Sequence, residues 1–226
     1  FAAELAQQAP ITGPSAWPKM SEEDAWRRLA TAVPSARQQA RFDYARSLIR
    51  RERGAEALAV LDVMQSDDPD LGLVYQYRLA RGAALVQLNR VEDASAMLSS
   101  GSLARNAEAC IWRMRALAQA GMAEQALQQI PCAAPAFEGR PLPYFRLAAA
   151  RAAVEGGRPE DTIKWLAHLP DGDAAANLLR GRAEVALGQF DQARLRFGRV
   201  EKSGNAVLRA EARLSQIEAA VSSGQI

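Results

Sequence analysis

ANLLRGRAEVALGQFDQARLRFGRV, residues 176–200, carries apolar residues at helical spacing on both sides of Gly188. A glycine placed there ends one helix and lets the chain fold back into the next. Gly181 and Ala193 are small, and Phe197 follows Ala193 by four residues. One helix thus offers a flat patch, and the other offers a bulky side chain to lie on it. The stretch reads as a helical hairpin.

The same phrase, a small residue followed four places later by a bulky apolar one, occurs five times: Ala57 with Leu61, Ala94 with Leu98, Ala126 with Ile130, Thr162 with Leu166, and Ala193 with Phe197. Successive small residues lie 37, 32, 36 and 31 apart, a mean of 34. Twelve residues before each stand Ala45, Gly82, Met114, Ala150 and Gly181, where close helix packing wants little side chain; Met114 is the exception. Turn signals fall between, at Gly54, Asn89, Gly121, Gly156 with Gly157, and Gly188. The pattern predicts first helices near 38–51, 72–88, 105–120, 142–155 and 173–187, and second helices near 55–66, 91–99, 122–130, 159–168 and 190–202. Ser21 is an N-cap for a short helix ending before Pro34, and residues 204–221 form one unpaired helix. Residues 1–20 hold Pro10, Gly13, Pro14 and Pro18, which favours an extended arm over a long helix, with Trp17 as its tether.

Composition agrees with an all-α class. Hydrophobic residues make up 49%, much of it Ala, while aromatics are only 6%. The net charge of +2 leaves no basic field to draw in nucleic acid or an anionic membrane. Lys19, Lys164 and Lys202 are the only lysines, so the basic residues are nearly all arginine, as a GC-rich genome would supply. No run approaches the ~18 apolar residues of a membrane span, and no signal-peptide pattern opens the chain. A start at Phe1 without Met and a stop soon after a helical pattern read as a piece of a longer protein.

In these residues the sequence resembles the tetratricopeptide repeat family, over roughly residues 38 to 202. Residues 176–200 are the copy closest to the motif, with Gly181, Gly188, Ala193 and Phe197 at its Gly, Gly, Ala and aromatic places, and Asp68-Pro69 matches the Asp-Pro that closes a repeat. The resemblance implies a right-handed α-α superhelical solenoid of helix hairpins, with the arm at 1–20 followed by a helical-repeat domain at 21–226 of about five helix pairs plus flanking helices. It also implies that the inner face of the first helices lines a concave groove. One residue after each packing position stand Arg46, Ala83, Arg115, Arg151 and Arg182; three before stand Phe42, Leu79, Ile111, Leu147 and Leu178. An arginine rail beside an apolar rail suits a protein or peptide carrying acidic and hydrophobic residues, because guanidinium forks pair with carboxylates. The plainer alternative is packing alone, since first helices need apolar contacts in any case and arginine is abundant throughout.

Catalytic residue types are scarce. His168 is the only histidine, which excludes a His-rich metal site, and the phosphate-loop, dinucleotide, nucleophile-elbow and zinc-protease motifs are absent. No cofactor, metal or enzymatic activity is expected. Cys110 and Cys132 sit at opposite sequence ends of one predicted hairpin. Two partly buried thiols are the plainer expectation; a disulfide is geometrically possible and would imply the periplasm or another oxidising compartment instead of the cytoplasm. The function expected is a bacterial protein-interaction scaffold. The alternatives are a non-catalytic helical accessory domain of a larger enzyme and, less favoured by the charge, an RNA-binding helical repeat.

Overall fold

The computed structural model describes residues 1–138 and 141–224. These residues are all-helical, with no strand among them. The helices are α1 (Ala2–Ala6), α2 (Glu22–Thr31), α3 (Arg37–Arg50), α4 (Gly54–Asp67), α5 (Tyr75–Gln87), α6 (Val91–Leu98), α7 (Ala107–Gln119), α8 (Ala123–Phe137), α9 (Pro143–Glu155), α10 (Pro159–Leu166), α11 (Ala174–Ala186), α12 (Phe190–Ser203) and α13 (Ala206–Ser222). Ser21 caps α2 as expected, accepting from the Asp24 amide, and Asn106, Asp173 and Asn205 cap α7, α11 and α13, accepting from the amides of Ala109, Ala176 and Leu208.

The chain divides into two compact units, Phe1–Ala120 with Gln128–Pro141, and Gly121–Leu127 with Leu142–Ile226. In the first unit α3 packs on α4 and α5 on α6, the first helices α3, α5 and α7 contact in succession, and α2 lies on α3. In the second, α9 packs on α10 and α11 on α12, with α13 against both α11 and α12.

Contacts within each hairpin are symmetric about its turn, which is the mark of antiparallel helices. Gly82 faces Leu98 and Gly181 faces Phe197, so closely that an added Cβ would lie 2.5 Å from either side chain. Thr162 Oγ1 reaches the Ala150 carbonyl at 3.2 Å, and Arg113 Nε reaches Gln129 Oε1 at 3.1 Å. Gly82, Ala150 and Gly181 are packing positions of the repeat; Arg113 stands beside another, Met114, the large residue among them, which is fully buried. Ile130 alone among the phrase residues is only half-buried.

Four turns share one construction. The amides of Arg53, Arg90, Arg158 and Gln189 each donate to the carbonyl five residues back, after a residue in the left-handed region: Glu52, Asn89, Gly157 and Gly188. Glu52 therefore does what the sequence assigns to Gly54. Gly54 serves close approach instead, because a Cβ there would sit 2.8 Å from the Ala84 carbonyl.

Two boundaries differ from expectation. A 3-10 turn at Pro69–Leu73 delays α5 to Tyr75, and α8 runs to Phe137 through Pro131 and Pro135 instead of stopping at 130. A proline inside a helix removes one backbone hydrogen bond. Here buried Ala133 and Ala136 and a disulfide at Cys132 hold those turns in place. Cys110 and Cys132 are bridged, with Cα atoms 5.8 Å apart, so the expectation of free thiols does not hold. Arg140, between the predicted helices at 122–130 and 142–155, lies outside the described residues.

Arginine has a structural use that composition hides. Arg113 and Arg180 each stand one residue before a packing position. Arg113 donates to the carbonyls of Leu98, Leu103 and Ala104. Arg180 donates to those of Leu166 and Leu169, both at 2.8 Å. A cation thus caps the carbonyl end of the preceding second helix, favourable for both hydrogen bonding and the helix dipole.

Candidate functional site

The inner-face residues named from the sequence fall into the two units. In the first, Phe42, Leu79 and Ile111 are buried and form core, not an open rail. Arg46 lies over the Phe42 ring, 5.0 Å from its centroid, pairs with Asp43 at 2.6 Å and donates to the Ala16 carbonyl at 2.9 Å. Arg115 pairs with Glu52 and lies over the Trp112 ring. In the second unit Leu178 is buried and Leu147 is half-buried against the Ala150–Leu166 cluster. Arg182 donates to Ser215 at 3.0 Å and to Glu211 at 3.2 Å, and Arg151 stands 4.0 Å from the same carboxylate. Both arginines of the second unit are thus turned toward α13, which packs on α11 and α12.

The N-terminal residues lie on α3, α5 and α7 of the first unit, and the side chains that hold them form a row separate from the arginine and apolar rails. Gln39, Gln76 and Glu108 each stand six residues before a packing position, on α3, α5 and α7. Gln39 accepts from the Gln8 side chain at 2.6 Å. Gln76 donates to the carbonyls of Leu5 at 2.7 Å and Gln8 at 3.0 Å. Glu108 accepts from the Gly13 amide at 2.9 Å and from Trp17 Nε1 at 2.7 Å. Arg50 completes the set with the carbonyls of Pro14 and Trp17, both at 2.7 Å. The sequence carries the signal as Gln39, Gln76 and Glu108 at one register of α3, α5 and α7, where polar residues at other registers mask it.

Residues 1–20 are buried only at Ala2, Leu5, Ile11 and Trp17. They begin with the short helix α1 and are otherwise largely irregular, with one 3-10 turn at Pro14–Ala16. Trp17 is fully buried, its ring edge-on to Trp112 at 5.6 Å between centroids. Burial pushes the Glu108 carboxyl above its ordinary range, against the hydrogen bonds from Trp17 and Gly13, which act to lower it.

His168 is exposed just past the end of α10. Among the described residues no cluster of three or more His, Cys, Asp or Glu could hold a metal, and no helix is long and apolar enough to cross a membrane. Compared with known proteins, the chain matches no family model and no curated protein.

Proposed function

We propose that the chain is a non-catalytic protein-interaction module of tetratricopeptide type, and that the inner face of its first unit takes an extended polypeptide. One observation carries this reading: side chains at one register of three successive first helices already hold a largely irregular segment, mostly by its main-chain atoms. Recognition of main chain tolerates varied ligand sequences, with affinity coming from an anchor side chain. A strongly acidic ligand is a weaker fit than the sequence suggests. Arg115 and Arg182 carry carboxylate partners within the chain, so a ligand carboxylate would replace one ion pair with another for little gain. The disulfide suits an oxidising compartment.

The test is a peptide library displayed against the whole chain, with bound peptides photo-crosslinked at millimolar concentration and the sites mapped by mass spectrometry. Crosslinks are expected on α3, α5 and α7. Crosslinks confined to the second helices or to the second unit would overturn the reading.

A further inference from the structure

The first unit's inner face is already filled, and the filling has the character of a ligand more than of a structural element. Between its anchors Ile11 and Trp17 the segment is half-buried at Gly13, Pro14 and Ala16 and exposed at Thr12 and Ser15. Prolines at 10, 14 and 18 deny it regular structure. The hydrogen bonds that fasten residues 9–20 come from side chains of α3 and α7, which take up the carbonyls of Pro14, Ala16 and Trp17 and the amide of Gly13, while Gln76 of α5 holds the carbonyls of Leu5 and Gln8 just ahead of them. Its one large anchor, Trp17, fills a socket made by Trp112 and Glu108. Tryptophan is the residue most enriched among interface anchors, and an indole with a buried carboxylate for its N–H is a specific fit.

We propose that residues 9–20 are a resident ligand bound in cis, and that the partner which displaces them is an extended polypeptide segment anchored by a tryptophan in the Trp112–Glu108 socket. This deepens, and rests on, the peptide-binding reading above. The segment runs directly into Ser21, the cap of α2, and continues at its other end from Gln8, which Gln39 and Gln76 hold, so its effective concentration at the face is at least on the order of millimolar. A partner in trans must exceed that, so the site is closed to weak ligands. The apparent affinity of a true ligand falls by the fraction of time the face is vacant.

Gly13 supplies a way to loosen the segment without touching the socket. It has φ 66° and ψ −179°, a region open essentially only to glycine, yet an added Cβ would meet nothing within 4 Å. Gly13→Ala in the full chain therefore strains the docked segment alone.

The experiment titrates a fluorescent peptide of residues 9–20 into the unsubstituted full chain and into the Gly13→Ala chain, with hydrogen exchange of residues 9–20 followed in both. The Gly13→Ala chain is expected to lose protection there and to bind the peptide at least tenfold more tightly. A peptide carrying Trp17→Ala is expected to bind at least tenfold more weakly. Should Gly13→Ala leave the segment protected, the full chain carrying Trp17→Ala replaces it, with its melting curve as the check on folding. Equal binding to both chains with residues 9–20 still protected would overturn the resident-ligand proposal and leave peptide binding elsewhere on the face standing. No binding to a folded chain whose segment has been released would overturn both.

Discussion

The helices of the two units are met by different kinds of neighbour. In the first, an irregular segment lies on α3, α5 and α7, and the helices supply hydrogen bonds to its backbone through Gln76, Glu108, Arg46 and Arg50. In the second, the helix α13 lies on α11 and α12, its backbone satisfied within itself, and the contacts are side chain to side chain: Arg182 with Ser215 and Glu211, Arg213 with Glu201. An irregular chain brings unpaired amides and carbonyls along its length that the face must accommodate; a helix brings them only at its ends. The face of the first unit is therefore built to read a backbone, and that of the second to pack a helix.

The largest expected effect separates the units through the disulfide. Reduction of Cys110–Cys132, which closes a loop with a sequence separation of 22, should destabilise the first unit by about 3 kcal/mol on the chain-entropy account. Hydrogen exchange should rise in α7 and the later part of α8 and stay unchanged in α9 to α13. Equal loosening of both units would show that they do not unfold separately. The reciprocal substitution is Gly181→Leu. It forces a side chain into the Phe197 ring, at a cost of roughly 1–3 kcal/mol, and should loosen α11 and α12 alone. Unchanged denaturant stability would contradict the close approach at that position.

The helices and their pairing are legible in the sequence because small residues, turn residues and bulky partners recur at fixed separations, and Gly82 with Leu98 and Gly181 with Phe197 meet as those separations require. The inner face is legible only in part. Phe42, Leu79 and Ile111 lie on the first helices as expected, but a periodic apolar row looks the same whether it is core or surface, and here it is core. Arg115 and Arg182 look like open cations until the folded chain brings Glu52 and Glu211 to them from distant positions. Trp17 is expected to tether the arm and does so, but which helices receive it depends on contacts across 91 residues, which no local pattern encodes. The prolines of α8 mislead for the same reason: local propensity ends that helix at 130, and tertiary packing carries it on to Phe137.

The smallest effect, and the one that bears most directly on the difference between the faces, concerns Glu108. With the segment docked, burial holds its carboxyl above the ordinary range, so the docked state keeps a proton at pH values where the undocked carboxyl has lost it. Stability from this source is fully present below the undocked pKa and is lost as pH rises through the docked one. Docking should therefore strengthen on acidification from neutral pH, the reverse of a carboxylate held by an arginine. Glu108→Gln removes the titration, keeps an acceptor for one of the two donors and loses the other, at a cost of about 1 kcal/mol near neutral pH. The informative quantity is the difference in stability between the two proteins, measured by denaturant unfolding from pH 7 down to pH 4, because the other carboxylates are common to both and cancel. That difference should grow in favour of the native chain as pH falls. A difference that shrinks on acidification would mean that the hydrogen bonds from Trp17 and Gly13 outweigh burial, and that the socket prefers its carboxylate charged.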